Sequence, residues 1–183
     1  IDITGAATRS KTSGTVALTQ EIIDAGEQIT IVEGGRTVNF KTVAGTSVRQ
    51  TLNQLTDAIK SAGTNVELVR DNSSGQNKNG PQMLTVRHTE YGSEAKFQVS
   101  SNTAGLLSDV ANVSRSVKNG LDITGEIADE EAIGKGQILT GAGGFGSKAE
   151  GISIRYSGAD APPLGQRAGT ITFTQNSLSF QIG

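Results

Sequence analysis

Few side chains in this sequence have the chemistry of a catalytic group. Its only histidine, His88, stands two residues before Glu90, and cysteine is absent. A histidine next to a carboxylate can take part in acid–base catalysis, whereas the absence of cysteine excludes a thiol nucleophile. A zinc-protease helix would need a second histidine, in the pattern His-Glu-x-x-His. Because His88 falls at the end of a predicted strand, we expect it in a loop or on a sheet surface, with no catalytic role.

A glycine-rich segment, 141–146, matches the Gly-x-Gly-x-x-Gly pattern of dinucleotide-binding loops. That chemistry needs a helix directly after the glycines, because the helix N-terminus faces the phosphates. Here the following segment, 151–156, alternates apolar and polar residues as a strand does. The pattern therefore predicts a flexible turn, and we expect no cofactor.

Carboxylates are concentrated at Glu126 and 129–131. A calcium loop of the EF-hand type needs oxygen ligands at alternating positions and a final glutamate, and this spacing differs from it. We interpret the cluster as a solvated acidic turn. No serine stands in the Gly-x-Ser-x-Gly elbow of a hydrolase either. We therefore predict no catalytic, cofactor-binding or metal-binding residues, and we expect that the chain is not an enzyme.

The composition favours a thin aliphatic core and many short strands. Hydrophobic residues make up 34% of the chain and aromatic residues 4%, so the core must consist of small and aliphatic side chains. The 24 glycines and 3 prolines are typical of short strands joined by tight turns. A net charge of −2 offers no basic surface for nucleic acid, and no apolar run is long enough to span a membrane. We expect neither as a partner.

The cysteine count and the N-terminal segment bear on the origin of the chain. The absence of cysteine agrees with chance in a short chain and equally with a secreted bacterial protein that forms no disulfides. Residues 1–5 lack the basic start and the apolar stretch of a signal peptide, and the sequence starts at Ile1. We therefore expect an excised fragment of a longer protein.

One amphipathic helix is predicted after Ser47. Its apolar residues recur at spacings of four and three, which places them on one stripe: Val48, Leu52, Leu55 and Ile59. Thr46 or Ser47 can cap the N-terminus of this helix, and Gly63 can end it. A helix with a single apolar stripe is expected to cover one face of a sheet.

The clearest pair of strands is 28–32 with 37–41, joined through Gly34 and Gly35, which supply the positive φ of a tight turn. Further strands are predicted at 14–19, 65–70, 83–87, 95–99, 123–128, 137–140, 151–157, 169–175 and 178–182. We expect the strand at 83–87 to pair with that at 95–99. Period-two alternation predicts six inward-facing residues in these strands: Val66, Leu68, Leu84, Val86, Phe97 and Val99. Segments 71–80 and 161–165 are predicted loops, the latter because two prolines cannot sit in a ladder.

These elements predict an α+β fold of mostly antiparallel sheet with one covering amphipathic helix, followed by a small β subdomain. Residues 1–101 are assigned to the first subdomain, which includes an N-terminal strand region. Residues 102–119 are assigned to a connector of helical or irregular character. Residues 120–183 are assigned to a glycine-rich β subdomain.

Residues 28–101 resemble the flagellin hook IN motif of bacterial flagellar proteins, in the order hairpin, helix, Gly63 and paired strands. The helix carries the pattern Leu-x-x-Leu-x-x-Ala-Ile over 52–59. Segments 121–127 and 134–141 resemble another recurrent flagellar segment, with a Gly-x-Gly-Gln-x-Leu-Thr-Gly core in the second. Segment 150–158 resembles the strand that follows this flagellar segment. Segments 169–173 and 176–183 resemble the stretch where flagellin's outer region returns to its helical core.

The resemblance implies a flagellin outer domain, of the hypervariable D2/D3 type. Such a domain is structural and non-catalytic, is secreted to the surface of the filament that serves motility, and is antigenically variable. Its implied partners are neighbouring copies of the same protein, and the isolated fragment is expected to be monomeric. For a domain inserted into a core, Ile1 and Gly183 are expected to lie close together.

Two alternatives to flagellin are open. Related modules occur in the filament cap protein (hook-associated protein 2) and in the hook–filament junction protein, so an outer domain of the cap is the first. The second is a secreted carbohydrate-binding adhesin module, which would stack exposed aromatic rings on sugars. Tyr91 and Tyr156 are the tyrosines available for that role.

Overall fold

The computed structural model describes residues 1–70, 80–144, 146–160 and 167–170, and the elements below lie within these ranges. They form an α+β fold in which antiparallel strands predominate, which confirms the fold class predicted from the sequence. In chain order the elements are β1 (Asp2–Gly5), β2 (Lys11–Leu18), α1 (Gln20–Asp24), β3 (Gln28–Glu33), β4 (Arg36–Lys41), α2 (Val48–Ser61), β5 (Val66–Val69), β6 (Gln82–His88), β7 (Gln98–Ser101), β8 (Arg115–Ser116), β9 (Thr124–Ile127), β10 (Glu130–Lys135), β11 (Ile138–Gly141) and β12 (Ser153–Arg155).

The strands form three antiparallel sheets. A three-stranded sheet has the order β2–β6–β5, and a four-stranded sheet has the order β4–β3–β7–β8. The five-stranded sheet has the order β1–β9–β10–β11–β12. Its edge strand β1 comes from the start of the chain, and Asp2 pairs with Glu126.

The hairpin β3–β4 forms as predicted. Its strands pair in continuous register from Gln28 with Lys41 to Glu33 with Arg36. Gly34 and Gly35 form the two-residue turn with φ of 56° and 79°, a conformation that side chains rarely adopt.

Helix α2 also forms as predicted, over 14 residues. Ser47, and not Thr46, is its N-cap, because the Ser47 hydroxyl accepts a hydrogen bond of 3.3 Å from the amide of Gln50. Gly63 follows the C-cap with φ of 65°. The four residues of the predicted apolar stripe are all buried.

The predicted pairing of 83–87 with 95–99 is wrong. Strand β6 pairs with β2 and β5, whereas β7 pairs with β3 and β8 in a different sheet. The reason is that β3 has a free edge beside its hairpin, and Val99 pairs with Ile31 there. The inward-facing prediction still holds for Val66, Leu84, Val86, Phe97 and Val99, which are buried, while Leu68 is partly buried.

The first hydrophobic core contains side chains from the three-stranded and four-stranded sheets and from both helices. Ile23 of the short helix α1 is fully buried in it, and Ile22 packs against it. Leu106, Leu107 and Val117 also belong to this core, although 102–119 is the predicted connector. That segment consists of turns and of strand β8 in the structure.

The second core lies on one face of the five-stranded sheet and includes Ile3, Ile127 and Leu139. Strand β1 therefore contributes to the core of the second half, although the sequence assigned it to the first subdomain. The division at 101 and 119 itself stays a prediction.

The acidic segment after Ile127 is only partly the turn expected from the sequence. Ala128 and Asp129 form a two-residue turn with φ of 57° and 64°, and Ile127 pairs with Glu130 across it. Glu130 and Glu131 begin strand β10, which the sequence did not predict. This strand has no apolar alternation to reveal it, because the side of it that faces the core presents Ala132 and Gly134.

Several predictions fall outside the described residues: most of the loop 71–80, the whole of the loop 161–165, residues 171–175 of the strand predicted at 169–175, and the strand predicted at 178–182. The expected proximity of Ile1 and Gly183 falls outside them as well. Ile1 does lie beside the last described segment: its carbonyl accepts a hydrogen bond of 3.0 Å from the amide of Ala168, and its amino group lies 3.3 Å from the carbonyl oxygen of Gly169.

In the part of the chain that the structure describes, neither helix has the length and apolar character needed to cross a lipid bilayer.

Candidate functional site

The glycine-rich segment adopts a geometry unlike that of a phosphate-binding loop. Gly141 ends β11, and residues 142–144 and 146–151 are coil and turn. The next element is the short strand β12, so in the described part of this segment no helix N-terminus faces the glycines.

His88 is buried, with 2% of its surface exposed, so the expectation of a loop or sheet-surface position is wrong. It is the last residue of β6, and it points to the same side as Leu84 and Val86, which are also buried. The alternation of the strand carries it inward, toward the ring of Phe97 at 6.4 Å between ring centroids.

Two hydrogen-bonding partners determine which tautomer the neutral His88 ring adopts. The backbone amide of Glu90 donates to His88 Nδ1 at 3.0 Å, so the proton of the neutral ring resides on Nε2. His88 Nε2 lies 3.5 Å from Glu33 Oε1, and Glu33 Oε2 accepts a hydrogen bond of 3.1 Å from the amide of Asn65. The pair joins β3 to β6, which belong to different sheets. Both residues of the pair are buried.

Glu27 is a second buried carboxylate, with 3% of its surface exposed. Glu27 Oε1 accepts a hydrogen bond of 2.6 Å from the amide of Asn102. Glu27 Oε2 accepts bonds from the amide of Thr103 at 3.1 Å and from its hydroxyl at 2.6 Å. The carboxylate thus fastens the turn after β7 to the start of β3.

Asp122 joins the two halves of the fold. Its Oδ2 accepts a hydrogen bond of 2.5 Å from the hydroxyl of Ser93, and its Oδ1 accepts one of 2.7 Å from the amide of Gly136. Burial raises the pKa of this carboxyl, but the hydrogen bonds from Ser93 and Gly136 outweigh it and hold the pKa below its ordinary value. The Asp122 carboxylate therefore links the loop after β6 to the β10–β11 turn through hydrogen bonds.

A groove of about 650 Å³ with charged walls opens beside Asp122. Its charged lining residues balance in sign: Arg9, Lys135 and Arg155 against Glu90, Glu94 and Asp122. The lining as a whole therefore carries no net formal charge, which gives no long-range attraction for a small charged ligand.

Both tyrosines named for sugar stacking are engaged within the molecule. The guanidinium of Arg9 lies over the ring of Tyr91, 4.4 Å from its centroid. Tyr156 packs against the second core, and its hydroxyl donates to the carbonyl of Asp160 at 2.8 Å.

The acidic segment is anchored by hydrogen bonds within the fold. The carboxylate of Glu130 accepts hydrogen bonds from the hydroxyl of Ser147 and from the amides of Lys148 and Ala149. The bond from Ser147 is the main reason why the pKa of Glu130 lies below its ordinary value. Among the described residues, no three histidine, aspartate or glutamate side chains are grouped so that they could hold a metal ion.

The sequence interpretation missed the polar contacts of Glu33, His88 and Asp122, and two of these residues had a signal. Glu33 continues the inward series Ile29–Ile31, and His88 continues the series Leu84–Val86, so period two alone predicts their burial. Asp122 has no comparable pattern, because its partners Ser93 and Gly136 are distant in sequence.

No protein-family model and no curated protein matches this sequence. Solved structures with partial similarity include those of flagellar cap proteins. The D2-D3 domains of the flagellar cap protein FliD from Escherichia coli align with 67% of this chain and 66% of their own, at 17% identity and a TM-score of 0.45. The D1-D2-D3 domains of the same protein align with 74% and 40%, at 15% identity and a TM-score of 0.49.

The cap protein D2-D3 domains from Serratia marcescens align with 67% of this chain and 69% of their own, at 14% identity and a TM-score of 0.41. The chain spans less than two thirds of the two Escherichia coli chains. At these identities and TM-scores, the likeness establishes neither the fold nor the function of this chain.

Proposed function

We propose that this chain is a non-catalytic, structural outer domain of a bacterial flagellar filament-associated protein. The observation that carries the proposal is the order of elements over 28–101. Hairpin β3–β4, helix α2 and the strands β5, β6 and β7 follow one another there, in the segment whose sequence resembles the flagellar motif.

The described polar groups support a structural role. Glu27, Glu33, His88 and Asp122 all bond to neighbouring segments of the fold. A catalytic site instead needs several such groups that converge on one accessible pocket, whereas Glu33 and Asp122 line different grooves. The domain would act at the filament surface outside the cell, through its shape and surface chemistry.

Two flagellar proteins are candidates for the parent chain. Flagellin is the prediction from the sequence, and it is unconfirmed. The filament cap protein is the alternative, and the names of the solved structures above agree with it. The two differ in position, because flagellin builds the whole filament and the cap occupies its tip.

Immunogold labelling of intact cells of the source organism tests the proposal. An antibody against this chain should place gold on the flagellum: gold along the filament identifies flagellin, and gold at the tip identifies the cap. The control is the same antibody after adsorption with the purified chain. Specific gold that is absent from the flagellum would refute the flagellar assignment and favour the adhesin.

A further inference from the structure

The five-stranded sheet covers the second core with one face and leaves the other face exposed. Antiparallel pairing defines which residues share the exposed face, because directly paired residues point to the same side. On β10 these are Glu131, Ile133 and Lys135, all exposed. Their partners on the other strands extend each position into a row across the sheet.

The first row is acidic. Asp2 of β1 pairs with Glu126 of β9, and Glu126 pairs with Glu131 of β10. Three carboxylates therefore stand side by side on adjacent strands, where like charges disfavour each other. Among the described residues, none of the three carboxylates has a side-chain ion pair or hydrogen bond.

The opposite row is basic and apolar. Lys135 of β10 pairs with Ile138 of β11, and Ile138 pairs with Arg155 of β12. Lys135 has one ion pair of 3.0 Å with Glu94, in which both side chains are about three quarters exposed. Such an exposed pair adds little stability and leaves the lysine available to another partner.

Between the two rows lies Ile133, paired with Thr140. Ile133 is 64% exposed and Ile138 is 47% exposed. Large apolar side chains at these levels of exposure, flanked by opposite charges, have the arrangement of a small interface with a polar rim.

We propose that this face binds a second copy of the chain through a twofold contact, with the acidic row of each copy against the basic row of the other. The two rows lie on opposite sides of Ile133. A twofold axis that lies in the plane of the interface, passes near Ile133 and is perpendicular to the line joining the two rows places the acidic row of each copy against the basic row of the other. The contact then contains two sets of opposite charges. A contact of this kind is self-complementary, as a closed dimer requires.

The contact is small. Five strands about 4.8 Å apart and on average about four residues long give a face of roughly 350 Å² per copy, which is in the range of weak, transient interfaces. We therefore expect a monomer at micromolar concentration, in agreement with the sequence expectation for an isolated fragment, and dimerisation only toward ~1 mM. Salt should weaken the dimer, because exposed charges hold it. This inference goes beyond the proposed function, and it stands or falls independently of the immunogold result.

Cysteine substitution tests the geometry, since the chain has no cysteine of its own. Ile133→Cys should form a disulfide-linked dimer under mild oxidation, because the twofold axis brings the two thiols together. Val43→Cys is the matched control, since Val43 is 57% exposed and lies away from this sheet. A yield of Ile133→Cys dimer no greater than that of the control would overturn the proposal.

Charge reversal tests the pairing of the rows. The double variant Glu126→Lys/Glu131→Lys has two predominantly basic rows. The double variant Lys135→Glu/Arg155→Glu has two acidic rows. Each variant alone should therefore sediment as a monomer at concentrations where the original chain dimerises. Their equimolar mixture should restore the dimer. Arg49→Glu/Lys60→Glu on exposed positions of α2 is the control and should leave dimerisation unchanged.

Three other results overturn the proposal. An original chain that stays monomeric at ~1 mM has no such contact. Equal dimerisation of both charge variants alone places the interface elsewhere. A monomer in which Ile133→Cys resists a maleimide reagent, while Val43→Cys reacts, means that another segment of the same chain covers the face.

Discussion

At the scale of single residues, the buried carboxylates Glu27 and Glu33 accept hydrogen bonds from backbone amides, from a hydroxyl group and, at Glu33, from the ring of His88. Glu27 shows this most clearly, since amides and a hydroxyl of residues 102 and 103 surround both of its oxygens. Hydrogen bonds to a charged acceptor are stronger than those between neutral groups, so such a carboxylate can stabilise a turn without a cation nearby.

Replacing Glu27 with alanine should lower the free energy of unfolding by about 2–4 kcal/mol, because the amides of Asn102 and Thr103 and the Thr103 hydroxyl lose their charged acceptor. Urea unfolding followed by circular dichroism measures the effect. Glu21→Ala, on the exposed side of α1, is the control and should change stability by less than about 0.5 kcal/mol. Equal effects of the two substitutions would contradict the assigned role of Glu27.

Asp122 gives a prediction that depends on pH. Its pKa is lower in the folded protein than in the unfolded chain, so its contribution to stability is complete above the unfolded value of about 3.9 and disappears as the pH falls through the folded pKa. Asp122→Asn should cost about 1 kcal/mol near neutral pH, and the difference between the two proteins should vanish in acid. Urea titrations over a pH series test this. A difference that persists unchanged below pH 3 would contradict it.

The residue scale also shows what alternation can predict. The burial of Glu33 and His88 follows from their place two residues beyond inward-facing aliphatic residues. The contact between them does not, because it joins strands of different sheets. A pattern along one strand fixes the direction of a side chain, and the partner depends on tertiary packing.

At the scale of secondary structure, helix α2 depends on its apolar stripe. Leu55 is fully buried in the first core. Leu55→Ala should therefore lower the free energy of unfolding by about 3 kcal/mol, through lost apolar burial and the cavity that remains. Thermal or urea unfolding measures this. Arg49→Ala on the exposed side should have little effect, and a similar loss in both variants would mean that the stripe is not what holds the helix.

Strand β10 depends on the absence of a side chain. A Cβ atom at Gly134 would meet the backbone carbonyl of Ile123, which cannot move as a flexible side chain can. Gly134→Ala should therefore destabilise the five-stranded sheet by several kcal/mol, whereas Ile133→Ala, on the exposed face, should not. Amide hydrogen exchange of β9–β11 distinguishes these outcomes. Unchanged protection in Gly134→Ala would contradict the close approach.

The elements that the sequence predicts well are specified by local residues, whereas those that it predicts badly depend on contacts distant in sequence or on small residues. Hairpin β3–β4 and helix α2 are local, and their turn residues, cap and periodicity specify them. Strand β10 is missed because small residues face the core, so its burial leaves no hydrophobic signal. The partner of β7 is missed because the backbone N–H and C=O groups of a strand can pair with any free sheet edge, so they do not specify which one.

At the scale of the whole molecule, the N-terminal part of the chain contributes to both hydrophobic cores of the fold. Strand β1 belongs to the second core, and the chain then crosses to the first core at β2. Ser10 marks this crossing, since its hydroxyl accepts a hydrogen bond of 3.0 Å from the amide of Gly120. Such pairings over long sequence separations are specified by the complete chain and by no local pattern.

This sharing predicts the result of a truncation. A chain without residues 1–7 lacks β1 and the buried Ile3 and Ala7. The amides of β9–β11 should then lose hydrogen-exchange protection, while those of α2 keep theirs. Ile3→Asp in the full chain is a matched variant that should have the same selective effect. Full protection of β9–β11 in the truncated chain would show that the second half folds independently.

The position of Ile1 beside Ala168 and Gly169 has a mechanical consequence. Force applied between two neighbouring points acts across the hydrogen bonds that join them, and these bonds then open one after another. Force applied along paired strands would instead load many bonds at once. A domain held at residues 1 and 169 should therefore yield to a weak pull, and should re-form when the pull ceases.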